Sequence, residues 1–154
     1  MTNNDILRRL RYILNYDDAK MTAIFALAKL EVKRGHIIAW LRKEDDPAYQ
    51  ECNDRMLATF LNGLIIEKRG KRDGPQPKPE LQLNNNLIMT KLKIAMNLKS
   101  QDMIDILSLG GFTLSEHELS SFFRRPGHKH YRACQNQVLR NFLRGLQVKL
   151  QGQE

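Results

Sequence analysis

A segment in the second half of the chain, Arg124 to Arg132, carries the residue types with the clearest chemical potential. Four arginine and lysine side chains and two histidines surround a Pro-Gly turn. Guanidinium, ammonium and imidazole groups on a loop are typical of contacts to phosphate oxygens. Between Glu118 and Glu154 the sequence has no acidic residue, so this region holds a positive potential. The candidate phosphate-binding residues are Arg124, Arg125, His128, Lys129, His130, Arg132, Arg140 and Arg144.

The chain supplies an internal control for this segment, because it repeats itself. Residues 3–66 and 85–148 align at a constant offset of 82 without a gap, and sixteen of the 64 pairs are identical. The counterpart of the basic segment in the first copy, residues 42–50, carries acids instead. The shared fold therefore does not require a basic loop. Phosphate binding would belong to the second copy alone, and a solvated loop with a surface charge run is the alternative interpretation.

Two other kinds of chemistry have less support in the sequence. His128, His130 and Cys134 could gather a soft metal ion, but a zinc site usually has four ligands, or three with water. Cys52, the counterpart of Cys134, has no histidine beside it. The sequence also lacks a Gly-rich phosphate loop, a nucleophile elbow and a metalloprotease signature. We predict no metal, no cofactor and no catalytic residue, so an enzyme is unsupported, although the sequence does not decide the question.

The elements that position these residues are predicted to be helices. Apolar residues recur at helical spacing in four stretches of each copy, and no alternating strand pattern is present. Asn3 or Asn4 is the predicted cap of the first helix, and Asn53 that of the last. Asp17 or Asp18 is predicted to open the second helix. The fold class is therefore all-α, with two copies of a roughly four-helix unit.

A break separates the second and third predicted helices. It falls at Gly110-Gly111 in the second copy and near residues 33–35 in the first. Ser115 and Glu118 form a capping box that starts a third helix, which should run through Phe123.

Helix, break and helix together have the proportions of a helix-turn-helix. The second helix of that motif would begin with Glu116 and Glu118 in the second copy, which repel phosphates, but with Arg34 and His36 in the first. Recognition of DNA and a purely structural turn both stay open at this point.

Four shared residues are predicted to serve the fold rather than a site. Gly63 and Gly145 lie inside strongly periodic helices, where glycine costs about 1 kcal/mol relative to alanine. Close approach of another helix would explain that cost. Cys52 and Cys134 occupy equivalent positions and are predicted to be small buried hydrophobic residues, not a disulfide.

Three prolines at alternate positions, from Pro75 to Pro79, predict an extended linker between the copies. The predicted organisation is a first helical repeat at 1–70, a linker at 71–83 and a second helical repeat at 84–154. Each repeat is near the lower size limit for a self-sufficient core, so packing on each other or on another chain is expected. A homodimer is one such arrangement.

Several stretches of the chain resemble a known bacterial family, the YehS-like proteins. They are the opening Asn3-Asn4-Asp5-Ile6-Leu7-Arg8, the segments 38–45 and 60–70, the later Asn84-Asn85-Asn86, and Phe142-Leu143-Arg144-Gly145-Leu146. The family is built from a tandem domain of unknown function. The resemblance covers nearly the whole chain and implies a bacterial cytoplasmic protein, but it implies no activity, ligand or catalytic residue.

Composition and charge lead to two hypotheses for the function, both of them binding functions. The net charge is +8, no apolar run is long enough to span a membrane, and the N-terminus shows no secretory signal. A cytoplasmic location is therefore the expectation. The first hypothesis is association with DNA or RNA through phosphate contacts, with weak sequence preference. The alternative is a helical protein-interaction module or adaptor whose partner is an acidic protein, with no membrane involved.

Overall fold

The computed structural model describes residues 1–152, which form eight α-helices and no strand. The prediction of an all-α fold with four helices per copy is confirmed. The chain divides into two compact units, one spanning Met1–Leu83 and the other beginning at Asn84. The last two residues of the predicted second repeat, 153–154, lie outside the described residues.

The helices of the first unit are α1 (Asn3–Leu14), α2 (Asp18–Leu27), α3 (Arg34–Leu41) and α4 (Asp54–Arg69). Those of the second unit are α5 (Asn85–Ala95), α6 (Ser100–Leu109), α7 (Glu116–Ser121) and α8 (Asn136–Gln151). In each unit the second helix packs against the long fourth helix, while the third helix contacts the second. No helix within residues 1–152 has the length and apolar character needed to cross a bilayer.

Most of the predicted helix starts agree with the structure. Asp17 and Asn53 accept backbone N–H groups at the starts of α2 and α4, and Ser115 and Glu118 form the predicted capping box of α7. The assignment of Asn3 or Asn4 as the cap of α1 was wrong. Thr2 caps this helix instead, and both asparagines make other bonds described below.

The break in the first repeat lies earlier than predicted. Arg34 already begins α3, and the chain turns at Lys29, whose φ of 62° is left-handed. Its counterpart Gly111 has φ of 88°, so both repeats turn at the same position. In the second repeat the third helix ends at Ser121, before the predicted Phe123, and continues as a tighter turn.

The turn between the second and third helices differs from a compact helix-turn-helix. Six residues connect the two helices in each repeat, 28–33 and 110–115, whereas the motif uses three or four. In the second repeat the first turn of α7 is acidic, and its Glu118 caps the helix backbone. This geometry does not favour α7 as a helix that contacts phosphates.

Gly63 and Gly145 mark the closest approach of two helices in each repeat, as predicted. A Cβ built on Gly63 would overlap the carbonyl oxygen of Ile24 in α2. A Cβ built on Gly145 would overlap the carbonyl oxygen of Ile106 in α6 in the same way. Only a hydrogen atom fits at these positions, so close helix packing offsets the loss of helix stability that glycine causes.

The Pro-rich segment 71–83 belongs to the first unit and runs back along α4. Residues 74–79 face Asn62, Ile65 and Ile66 near the C-terminal end of that helix. At the other end, the Leu83 N–H donates to Asp54 Oδ2 at 2.8 Å. Because Asp54 begins α4, the linker reverses direction and follows the helix from its end to its start.

Candidate functional site

The basic segment lies on the loop between α7 and α8, which a single buried side chain holds in place. Asn86 of α5 is 7% exposed. Its Nδ2 donates to the carbonyl oxygens of Phe122 at 3.1 Å and Arg132 at 2.7 Å, and its Oδ1 accepts the Cys134 N–H at 2.9 Å. Three bonds thus fix both ends of the loop to α5. The buried Asn86 side chain therefore holds the backbone of the loop, and the candidate side chains of the loop face solvent.

The first repeat holds its own loop in the same way through Asn4, which is 2% exposed. Asn4 Nδ2 donates to the carbonyl oxygens of Trp40 at 3.0 Å and Gln50 at 2.8 Å, and Oδ1 accepts the Cys52 N–H at 2.9 Å. Sequence reasoning missed this role by treating the residue as a helix cap. A usable signal existed, because Asn4 and Asn86 are an identical pair, whereas helix caps tolerate several residue types.

The turn inside the loop keeps its shape although its chemistry differs between the repeats. His128 Nδ1 accepts the N–H of His130 at 3.0 Å. In the first repeat, Asp46 Oδ1 accepts the N–H of Ala48 at 2.8 Å. Residues 46 and 128 are equivalent, so an imidazole replaces a carboxylate as the acceptor that closes the turn.

That replacement removes the acid that neutralises an arginine. In the first repeat, Arg42 Nη1 pairs with Asp46 Oδ2 at 3.0 Å. Arg124 occupies the position of Arg42, but the side chain at position 128 carries no negative charge to pair with it. The candidate cations Arg124, Arg125, Lys129, Arg132, Arg140 and Arg144 make no ion pair with a carboxylate of residues 1–152, whereas Arg11, Arg34 and Arg42 of the first repeat pair with aspartates.

The candidate residues form two groups on the second repeat. The loop group is Arg124, Arg125, His128, Lys129, His130 and Arg132, all exposed except His128, which is half-buried. The helix group is Arg140 and Arg144, one turn apart on the exposed side of α8. Arg140 Nη1 donates to Gln137 Oε1 at 3.1 Å. Lys93, which sequence reasoning missed, adds a cation near the loop, because its Nζ lies 4.7 Å from the ring centre of Phe123.

The helix group lies on a face of α8 that is exposed, whereas the equivalent face of α4 is buried. Arg140 aligns with Ala58, and Arg144 aligns with Asn62. Both first-repeat residues are buried, and Asn62 lines a groove shared with the linker. The α8 face is therefore exposed and cationic where the α4 face is buried and uncharged.

Three imidazoles lie close together at the edge of the loop. The His130 ring is 6.1 Å from that of His117 in α7 and 5.5 Å from that of His128. His117, His130, Glu118 and Arg132 border a shallow cleft of about 360 Å³. Their first-repeat counterparts are Gly35, Ala48, His36 and Gln50, so His117 and His130 are the two of these four lining residues whose counterparts are not polar.

The hypothesis of a metal site finds no matching geometry in the described part of the chain. Residues 1–152 contain no group of three or more His, Cys, Asp or Glu side chains placed to hold a metal ion. Cys134 is 5% exposed, whereas His130 is exposed. The thiol therefore faces the core and the imidazole faces water.

Both cysteines are free and buried, as predicted. Burial raises the pKa of the Cys52 thiol to about 12, and it raises the pKa of the Cys134 thiol to about 11. A thiol that stays protonated is a poor nucleophile and a poor metal ligand. These residues act as small apolar side chains beneath the loops.

The buried thiols predict a specific loss of stability at alkaline pH. Above the ordinary thiol pKa of 9.0, the unfolded chain releases protons that the folded chain retains. The contribution of the two thiols to the free energy of unfolding is therefore constant below this pH and falls above it by up to about 1.4 kcal/mol per pH unit for each thiol. Urea unfolding at pH 8 and pH 10 measures the slope, and the Cys52→Ala/Cys134→Ala variant should show less of it. Equal slopes in both proteins would contradict the assignment.

The fold and this site define a class of protein: an all-α tandem repeat in which both copies share a scaffold and one carries an unpaired cationic loop. The sequence matches the family described as "Protein of unknown function (DUF1456)" twice, at residues 3–70 and 85–152, and the chain belongs to this family. It is 45% identical to the uncharacterized protein YehS of Escherichia coli (strain K12) over 150 residues, which are 97% of this chain and 96% of that protein. No solved structure shows significant similarity to the chain.

Proposed function

We propose that the second repeat binds nucleic acid through its phosphates, with little preference for base sequence. The observation that carries this proposal is the absence of ion pairs at the candidate cations of the second repeat within the described residues, although first-repeat cations pair with acids. An exposed arginine without a carboxylate partner keeps its hydrogen-bond donors for a ligand. A phosphate polymer supplies acceptors at regular spacing.

The hydrogen bonds of Asn86 support the proposal, because they hold the loop in place before a ligand binds. A loop held at both ends by buried bonds loses less conformational entropy when it binds a ligand than a loose loop does. The half-buried His128 closes the turn without adding a negative charge. Backbone order and cationic side chains together suit a surface that follows a phosphate backbone.

Binding should fall steeply with salt concentration. If the four loop cations each contact a phosphate, the affinity for duplex DNA should decline about 100-fold between 50 and 200 mM salt. Fluorescence anisotropy with labelled duplex DNA, single-stranded DNA and RNA of mixed sequence measures this slope. Labelled polyglutamate is included as an acidic polypeptide, because the alternative partner class would favour it. Salt-insensitive binding, or binding of polyglutamate alone, would refute the proposal.

Replacing the loop cations tests the location of the site. The loop variant carries Arg124→Gln, Arg125→Gln, Lys129→Gln and Arg132→Gln. It should lose most of its affinity for DNA at 100 mM salt. The slope of log affinity against log salt concentration should fall by about four-fifths or more of the value expected for four phosphate contacts. The matched control, Arg34→Gln/Arg42→Gln/Lys43→Gln/Arg55→Gln, removes the same charge from the first repeat and should retain most binding. Equal losses in the two variants would mean that net charge alone attracts the nucleic acid.

A further inference from the structure

A separate cavity lies in the first repeat, between α2, α4 and the linker. Its volume is about 440 Å³, within the range of small-molecule sites. Leu27 at the end of α2, the following Ala28, and Ile65 and Ile66 from α4 supply one side. Residues 70–72 and 74–79 supply the other.

The lining combines an apolar interior with cations and contains no acid. Besides the four residues above, three prolines contribute carbon surface. The charged lining residues are Lys29, Lys71, Arg72 and Lys78, all exposed at their outer ends. Such a combination favours a ligand with a carbon body and one negatively charged end.

Two details of the lining bear on the charge of a ligand. Gln76 Nε2 donates to the carbonyl oxygens of Arg72 at 2.7 Å and Gly74 at 3.2 Å, so the linker turn beside the cavity is held by its own side chain. Lys29 has a left-handed φ of 62° at the turn that both repeats share, where the second repeat has Gly111. The first repeat therefore carries a cation at this turn, on the lining of the cavity.

We propose that this cavity binds a small apolar carboxylate, with its hydrocarbon against Ile65, Ile66 and the prolines and its carboxylate among the lysines and Arg72. Within residues 84–152 no segment runs back along α8 as the linker runs along α4, so these residues alone do not form an equivalent cavity. This proposal is independent of nucleic-acid binding, since it concerns the other repeat and different cations.

The test compares ligands that differ only in their charged end. Octanoate, octanol and octylamine are titrated into the full chain by isothermal calorimetry and followed by amide chemical shifts. We expect octanoate to bind at least about tenfold more tightly than octylamine, with octanol between them. Shifts should concentrate at residues 27–29, 62–66 and 71–79. Equal binding of octylamine, shifts elsewhere or no binding of octanoate would overturn the proposal.

Two variants separate the ligand site from general effects on folding. Ile66→Glu places a negative charge on the cavity lining and should reduce octanoate affinity at least about tenfold. Val148→Glu makes the corresponding change at the equivalent position of α8 and should leave the affinity unchanged. The Lys71→Gln/Arg72→Gln/Lys78→Gln variant changes only exposed side chains and should weaken octanoate while leaving octanol binding intact. Equal losses for Ile66→Glu and Val148→Glu, or for octanoate and octanol, would overturn the assignment.

Discussion

Gly63→Ala is expected to destabilise the first repeat by about 3 kcal/mol or more, and Gly145→Ala is expected to do the same to the second. In an ordinary helix, alanine would instead stabilise by about 1 kcal/mol. The sign reverses because the added methyl would overlap the carbonyl oxygens of Ile24 and Ile106. Backbone atoms cannot rotate away as a flexible side chain can, so the paired helices must separate and lose core contacts.

Gly35→Ala is the matched control for these variants. Gly35 lies in α3, and a Cβ there meets no atom within 4 Å. This substitution should therefore be neutral or stabilise by up to about 1 kcal/mol. Trp40 is the single tryptophan, so its fluorescence during urea unfolding reports on the first repeat. Residue-resolved hydrogen exchange gives the same information for α6 and α8. A Gly63→Ala protein as stable as Gly35→Ala would disprove the close-packing role.

Asn86→Ala is expected to cost about 3 kcal/mol or more, because it leaves two carbonyl oxygens and one N–H without their partner. Asn4→Ala removes the corresponding three bonds in the first repeat and should have a similar effect. The expected signature is local as well as global. The Cys134 N–H should exchange with solvent much faster in Asn86→Ala, and the Cys52 N–H should do so in Asn4→Ala.

The neighbouring asparagine provides the control for this prediction. Asn85 Nδ2 donates to the Cys134 carbonyl oxygen at 2.9 Å and Asn136 Oδ1 at 2.8 Å, and the second bond is exposed. Asn85→Ala should therefore cost only about 1 kcal/mol. Asn86→Asp keeps the acceptor and loses both donors, so it should protect the Cys134 N–H better than Asn86→Ala. Similar costs for Asn85→Ala and Asn86→Ala would contradict the central role of Asn86.

Most of the fold could be predicted from the sequence, because its apolar periodicity reflects real helix faces. The predicted stripe of the last helix, for example Phe142 and Leu143, is buried in α8. The gapless duplication also separated the glycines and cysteines of the scaffold from residues present in one copy. Errors arose where a residue makes distant bonds, since Asn4 bonds to residues 36 to 48 positions away in sequence. Local patterns contain no information about such partners.

The candidate site could be predicted only in part. The cations could be identified from the sequence. The ion pair between Arg42 and Asp46 forms only in the folded turn, so its absence at Arg124 could not be predicted. The sequence also gave no sign of the cavity beside α4. A Pro-rich segment predicts extended backbone, but the surface on which it lies depends on long-range packing. The hydrogen bond from Leu83 to Asp54 shows that the linker runs back along α4, and the sequence alone does not predict this bond.

The loop suspended from Asn86 has a consequence for how duplicated domains diverge. Residues 42–51 contain two cations and four acids, whereas residues 124–133 contain four cations and no acid. Nevertheless, the backbone hydrogen bonds of the turn match. The Asp46 N–H donates to the Lys43 carbonyl oxygen at 3.0 Å, and the His128 N–H donates to the Arg125 carbonyl oxygen at 2.9 Å. Shape is thus inherited through the buried asparagine, while electrostatic character is free to change outside it. The two loops differ at eight of ten positions and carry opposite net charge, and the repeat that holds them still folds in the same way.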